Sequence, residues 1–157
     1  TTGELAPESR APLLAWVRNG GTFLRVHTAR GTGHDSADYI EMLGGELDSH
    51  PDQQLVSILV NARTNAATAV LESPYPMFEE IYRLKNFDAA RVELLLSIDP
   101  SLPLAWTKRY GNGRVFYTAL GHRIDVWTSP WFQQHLTGAI GWALHRDART
   151  RRRAAVP

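Results

Sequence analysis

The sequence predicts an α/β fold, and three features carry that prediction. An apolar helical pattern ends at Asn19-Gly20-Gly21 and passes directly into a strand-like run. Residues 91–98 contain Val92, Leu94, Leu95 and Leu96, an apolar set typical of a buried strand. Gly111-Asn112-Gly113 separates two further strand-like runs and is typical of a tight hairpin turn. Helices that alternate with strands in this way favour a layered α/β domain.

The first half of the chain alternates helices with strands. Ala6-Pro7-Glu8-Ser9 opens a helix whose apolar residues recur at helical spacing. Residues 22–26 follow as a strand that leads into His27. Residues 36–43 predict a short helix, which Gly44-Gly45 stops, and residues 55–60 predict a strand rich in β-branched side chains.

The second half adds a late hairpin and a final helix. Residues 77–84 read as a strand that carries acidic residues. The second strand of the hairpin stops at Gly121-His122, which places a titratable side chain on a loop just beyond an apolar strand. Residues 130–145 predict a helix with Pro130 in its first turn. One face of this helix carries Phe132, Leu136, Ile140 and Leu144.

The size and charge of the chain predict one domain with a basic tail. At 157 residues, 43% of them hydrophobic, the chain is long enough for one ordinary core. We assign residues 1–146 to that domain and residues 147–157 to a disordered tail. Five of the 17 basic residues lie in the last twelve positions, and the body shows no basic face with aromatic platforms. We therefore expect no nucleic-acid partner.

The composition also excludes several mechanisms. The chain has no cysteine, so it has no disulfide, no thiolate zinc site and no cysteine nucleophile. No apolar run approaches the roughly 18 residues that span a bilayer, and we expect no membrane partner. The first residues lack the pattern of a signal peptide. Localisation stays open, with the cytoplasm as the default.

Three histidines in loops are the main candidates for chemistry. His27, His50 and His122 each lie beside glycine or proline or just after a predicted strand. Imidazoles transfer protons near neutral pH and also bind divalent metals such as zinc. The spacing matches no short metal motif, so three readings stay open: acid–base residues, metal ligands, or histidines that only stabilise loops through hydrogen bonds.

Acidic and aromatic residues extend this candidate set. Alternation along a strand would place Glu79 on one face and Glu80 and Tyr82 on the other, so we expect one of the two glutamates to be simply solvated. Trp127, close to His122, is a candidate platform for a sugar ring, although large aromatic residues more often belong to the core.

Several short motifs, in their order along the chain, resemble one known family. They are Leu14-Ala15-Trp16-Val17, Gly20-Gly21-Thr22-Phe23, Val26-His27-Thr28-Ala29, Leu43-Gly44-Gly45, His50-Pro51, Glu79-Glu80-Ile81-Tyr82, Leu104-Ala105-Trp106-Thr107 and residues 111–122. The chain is similar to the trehalose-utilisation (ThuA-like) family. The resemblance runs from about Leu5 to Leu144 and is most specific in the stretch from Gly111 to His122.

The resemblance implies a particular fold and a particular placement of the site. The implied fold is a three-layer, mostly parallel flavodoxin-like sheet of the class I glutamine-amidotransferase type, with a C-terminal β-hairpin and a final helix. The chain resembles the C-terminal two-thirds of such a domain, without its first βα units. His27 takes the position of the strand-to-helix elbow, and His122 that of the partner histidine. The family pattern also favours Glu80 over Glu79, with Tyr82 as its hydroxyl partner.

The resemblance also implies a function in carbohydrate metabolism. The leading hypothesis is proton transfer or metal-assisted chemistry on a disaccharide or keto-sugar derivative. It has His27, His122, Glu80 and Tyr82 as catalytic residues, His50, Trp127 and Arg25 as substrate-binding residues, and His27, His50 and His122 as ligands if a metal is bound. Arg25 replaces a small residue of the family. The alternatives are a non-catalytic sugar-binding or assembly domain, and a homo-oligomer in which another copy covers the open sheet edge.

Overall fold

The computed structural model describes residues 5–27, 36–99 and 101–144. The α-helices within these ranges are α1 (Pro7–Arg18), α2 (Ala37–Leu43), α3 (Ile124–Thr128) and α4 (Pro130–Leu144), and Ala89–Arg91 form a short 3-10 helix. The strands are β1 (Thr22–Val26), β2 (Glu46–Ser49), β3 (Gln54–Val60), β4 (Tyr75–Glu79), β5 (Arg83–Lys85), β6 (Glu93–Ser97), β7 (Pro103–Tyr110) and β8 (Gly113–Thr118). The predicted tail, residues 147–157, lies outside the described residues.

The main sheet has six strands in the order β1-β8-β7-β6-β3-β4, and β2 pairs with β5 in a separate small sheet. The expectation of an α/β fold is confirmed, but the expectation of a mostly parallel sheet is wrong. Among the described strands, β1 and β8 form a parallel pair, and the other neighbouring pairs are antiparallel.

Short connections explain why this sheet is mainly antiparallel. Two residues, 111 and 112, join β7 to β8, and five residues, 98–102, join β6 to β7. A parallel neighbour needs a crossover of a dozen or more residues, so these three consecutive strands can pair only as hairpins. The predicted hairpin at Gly111-Asn112 is confirmed, because Tyr110 pairs with Gly113 across the turn.

The sheet is covered on both faces, which explains its long apolar strands. Phe116 of β8 belongs to a core shared with α4, where Phe132 and Ala139 are fully buried. Val115, the preceding residue, faces the opposite way and packs with Val17 of α1 and with α2. Because successive side chains of a strand point to opposite faces, β8 contributes to two separate cores.

The final helix begins where the sequence predicts, but its buried face differs from the predicted one. Phe132 is fully buried, whereas Ile140 and Leu144 are 53% and 74% exposed. The residues of α4 that are buried are Trp131, Phe132, His135 and Ala139. A polar side chain, His135, therefore occupies the core face, and apolar side chains near the C-terminal end of the helix face solvent.

The strand predicted over residues 77–84 is divided into two parts. β4 ends at Glu79, residues 80–82 form a connection, and β5 then pairs with β2 in the small sheet. This break frees Glu80 from the alternation of β4, because alternation holds only along a continuous strand. Within the described ranges, none of the helices has the length and apolar character that a membrane span requires.

Candidate functional site

The candidate site forms where the ends of three strands meet. His27 directly follows β1, Glu80 directly follows β4, and His122 lies four residues beyond β8. β1 and β8 are parallel neighbours, so their carboxyl ends lie at the same edge of the sheet. β4 lies at the other end of the strand order, yet its last residue, Glu79, reaches the loop after β8. Three distant parts of the sequence thereby meet at one place.

His27 is held in an unusual backbone conformation that fixes the direction of its ring. Its φ of 55° lies in the left-handed region, which side chains other than glycine rarely adopt. Its N–H donates to the carbonyl of Thr118 at 2.7 Å, and its Nδ1 lies 2.8 Å from the carbonyl oxygen of Ala119. Since a carbonyl only accepts, Nδ1 carries the proton and Nε2 presents a free lone pair.

Tyr82 and Glu80 approach this lone pair of His27. The Tyr82 hydroxyl oxygen lies 2.5 Å from Nε2, to which the hydroxyl can donate. Glu80 Oε2 lies 3.5 Å from Nε2 of His27 and 3.5 Å from Nδ1 of His122. The two imidazoles approach each other to 3.3 Å, measured from His122 Nδ1 to His27 Nε2. The side chain of Glu80 is only 12% exposed, so its carboxylate acts in a partly desolvated setting.

Glu79 is fully buried, and the expectation that one of the two glutamates is solvated is wrong. Its Oε1 accepts the N–H of Glu80 at 2.8 Å. Its Oε2 accepts the N–H of Gly121 at 2.8 Å and that of His122 at 3.1 Å. The sequence offers Glu79 or Glu80 as the acidic member of the site, and the family pattern favoured Glu80 alone, whereas the structure brings both residues to the site. The sequence feature that indicates Glu79 is its position at the end of a strand, directly before a second carboxylate residue.

His50 joins the site through Glu80. Its Nδ1 lies 3.1 Å from Oε1 of Glu80, the carboxylate oxygen that faces away from His27 and His122. The same nitrogen is 3.2 Å from the carbonyl oxygen of Pro51. The three predicted histidines therefore converge on one carboxylate, with His50 on its outer oxygen.

Trp127 and Arg25 lie around this cluster in different ways. Trp127 is 42% exposed, and its indole N–H donates to the carbonyl of Gly121 at 2.8 Å, next to His122. Arg25 precedes the site on β1, and its guanidinium donates to the Tyr39 hydroxyl at 3.1 Å. Trp127 thus borders the loop of His122, whereas Arg25 contacts α2. Their predicted roles in substrate binding stay predictions.

Burial keeps His27 neutral. Desolvation lowers the pKa of His27 below its usual value near 6.5, and the positive charge of His122 acts in the same direction. The carbonyl of Ala119 and the carboxylates of Glu79 and Glu80 oppose this shift but do not reverse it. A neutral imidazole with a free Nε2 lone pair can accept a proton or bind a metal ion.

A comparison with known protein families identifies the family of the chain. A family model described as ThuA, trehalose utilisation, matches residues 1–143. The chain belongs to this family. Membership in the ThuA family supports a role related to carbohydrates. No curated protein matches the chain significantly.

Solved structures with the same fold include other ThuA-like proteins. A ThuA-like protein from Bacteroides uniformis aligns with a TM-score of 0.77 at 20% identity, covering 92% of this chain and 66% of that one. A second, from Parabacteroides merdae, aligns with a TM-score of 0.72 at 19% identity, covering 87% and 65%. The chain thus spans just under two thirds of the length of both proteins.

The fold also occurs inside a much larger enzyme. A GH42 beta-galactosidase from G. stearothermophilus aligns with a TM-score of 0.56 at 20% identity. The alignment covers 88% of the ThuA-family chain but only 20% of the beta-galactosidase chain. At this identity the likeness concerns the fold alone.

Proposed function

We propose that this ThuA-family chain acts in carbohydrate metabolism by transferring protons on a disaccharide or a keto-sugar derivative. The observation that carries the proposal is a cluster of proton-transferring groups: His27 Nε2, His122 Nδ1 and Glu80 Oε2 lie 3.3–3.5 Å apart, and the Tyr82 hydroxyl lies 2.5 Å from His27 Nε2. Four groups that can donate or accept protons at one sheet edge are what proton transfer next to a sugar carbonyl needs.

The residues take distinct roles in this proposal. His27 accepts the substrate proton at Nε2, because its Nδ1 is occupied by the carbonyl of Ala119 and burial keeps the ring neutral. Tyr82 has its hydroxyl beside the same nitrogen and can donate to an oxygen of the substrate that becomes negative. Glu80 stabilises the imidazolium that forms, and the half-exposed His122 passes the proton to solvent.

A deuterium-exchange assay tests this proposal directly. Keto-trehalose is the test substrate because the family is described by trehalose utilisation. It is incubated with the chain in D₂O, and the proton next to its carbonyl is followed by NMR. We expect exchange with the unmodified chain and a loss of about 10²-fold or more in His27→Gln, the usual contribution of a general base. Glu72→Gln changes an exposed carboxylate outside the site and should leave the rate unchanged. Equal rates in His27→Gln and the unmodified chain would contradict the proposed role of His27.

The second candidate is a non-catalytic sugar-binding or assembly domain. It is favoured by the large beta-galactosidase in which this fold makes up about a fifth of the chain. A rise in melting temperature with trehalose, without exchange or product for any keto-sugar tested, would support this candidate over the first. Its assembly into a homo-oligomer stays a prediction, which sedimentation of the purified chain tests.

A further inference from the structure

Three side-chain atoms of the site form a nearly equilateral triangle. The edges are 3.3 Å from His122 Nδ1 to His27 Nε2, 3.5 Å from His27 Nε2 to Glu80 Oε2, and 3.5 Å from His122 Nδ1 to Glu80 Oε2. Each of these three residues thus offers one ligand atom to the same small region. Two imidazoles and one carboxylate are a donor set that binds zinc and related divalent transition metals.

The size of the triangle matches tetrahedral coordination. Zinc bonds to nitrogen and oxygen are about 2.0–2.1 Å long, and at the tetrahedral angle such bonds place the ligand atoms about 3.3–3.4 Å apart. Octahedral coordination at similar bond lengths would place neighbouring ligands about 3.0 Å apart. The observed edges therefore fit one face of a tetrahedron and leave its fourth corner open.

Hydrogen bonds outside the triangle also orient each of the three ligands. His27 has its Nδ1 on the carbonyl of Ala119, which leaves the lone pair of Nε2 available to an ion. Glu80 has its outer oxygen on His50 Nδ1. The loop that carries His122 is fixed where its N–H donates to Glu79. Hydrogen bonds of this kind orient ligands and make them more basic in metal sites.

We propose that His27, Glu80 and His122 bind a zinc-like divalent transition-metal ion in tetrahedral geometry, with the fourth position open to water or to a substrate oxygen. His50 supports Glu80 and is not itself a ligand, in contrast to the ligand set expected from the sequence. The Tyr82 hydroxyl, 2.5 Å from His27 Nε2, must move off this nitrogen when the ion binds. The ion and the substrate proton compete for the same lone pair of His27 Nε2, so proton transfer by His27 belongs to the ion-free chain, and in the ion-bound chain another group must act as the base. Binding of the ion itself does not rest on the proposed function.

Metal titration of the untagged, chelator-treated chain tests the proposal. Zn²⁺ binding is measured by calorimetry, and Co²⁺ binding by the intense visible bands that tetrahedral cobalt gives. We expect one ion per chain and tetrahedral Co²⁺ bands. His122→Gln and Glu80→Gln should each weaken Zn²⁺ binding by at least about 100-fold, and His50→Gln by about 10- to 100-fold as an outer partner. Glu72→Gln, which alters an exposed carboxylate, should bind as the unmodified chain does.

The outcomes separate the metal site from the proposed function. Absence of Zn²⁺ binding by the folded, unmodified chain would overturn the metal site, and so would unchanged affinity in His122→Gln. Circular dichroism shows that each variant is folded; the side chain of His122 is 38% exposed, so its replacement should leave the core intact. Metal binding without deuterium exchange on any keto-sugar would contradict the proposed function and leave the metal site standing. Exchange that persists in the metal-free chain would limit the ion to a non-catalytic role.

Discussion

The single residue Glu79 connects two loops of the site. The carboxylate is fully buried, and it accepts the backbone N–H groups of Glu80, Gly121 and His122. Hydrogen bonds to an ionised group are stronger than neutral ones, so these three hydrogen bonds offset the cost of burying the carboxylate. Glu79 is therefore a positioning residue for both Glu80 and His122.

Replacing Glu79 by glutamine should destabilise the chain by about 1–3 kcal/mol, because the amide nitrogen must then face a backbone N–H that it cannot accept. Urea unfolding measures this loss. The backbone amide signals of Gly121 and His122 should also shift in ¹⁵N NMR, since they lose a charged acceptor. Glu72→Gln is the control at an exposed position. Unchanged stability together with unchanged amide signals would show that the carboxylate does not hold this loop.

The sequence predicts the histidines of the site better than the acidic residues. His27 and His122 follow apolar strands, and a strand end is a local signal that one sequence carries. Glu79 follows the alternation of β4 and shares the buried face of Met77. Since β4 ends at Glu79, alternation no longer decides the facing of Glu80, and only the folded chain shows that both carboxylates belong to the site.

Helix α4 approaches the segment before β4, at Ala66, closely enough to require glycine. A Cβ atom at Gly138 would lie 2.1 Å from the carbonyl oxygen of Ala66, which is backbone and cannot rotate away. Gly141, one turn later on the same helix, has no atom within 4 Å of such a Cβ. Two glycines of one helix thus have opposite surroundings.

The two glycines predict opposite effects of the same substitution. Gly138→Ala should destabilise the chain by about 1–3 kcal/mol, because α4 must move away from the backbone at Ala66. Gly141→Ala should stabilise it by up to about 1 kcal/mol, because alanine favours the helix and meets no neighbour. Thermal unfolding of both variants beside the unmodified chain measures these changes. Destabilisation of similar size in both would contradict the close approach at Gly138.

Elements with local signals are predicted correctly, whereas their pairing and packing are not. The hairpin of β7 and β8 follows from Gly111-Asn112-Gly113 alone. The antiparallel order of the other strands depends on pairing between distant segments, and the family resemblance suggested a parallel sheet. The period of α4 predicts a helix, but its buried face depends on which neighbours cover it, and these leave Ile140 and Leu144 exposed.

His135 makes the stability of the whole fold depend on pH. Its side chain is fully buried on α4, among the rings of Phe116, Trp131 and Phe132. Nδ1 lies 2.8 Å from the carbonyl oxygen of Ala67, to which it donates, and Nε2 has no hydrogen-bond partner. None of these neighbouring rings carries a charge that would stabilise an imidazolium. Burial accordingly lowers the pKa of His135 to about 4.

This buried histidine should make the fold less stable as the pH falls. Above its ordinary pKa of about 6.5 the ring is neutral in both folded and unfolded chains, so its contribution is fully present. Between pH 6.5 and 4 only the unfolded chain binds the proton, and stability is lost. From pH 7.5 to 5 we expect a loss of about 2 kcal/mol from this residue, measured by urea unfolding.

The variant His135→Gln isolates this contribution, because glutamine can still donate to the carbonyl of Ala67 but does not titrate. Other groups, including His27, still titrate in both proteins, so the decisive quantity is the difference between their losses over the same pH range. The loss in His135→Gln should be smaller by about 2 kcal/mol. Equal losses in the two proteins would show that His135 takes up its proton in the folded chain as readily as in the unfolded one. The core around α4 would then have to admit water or a charge that its aromatic lining does not provide.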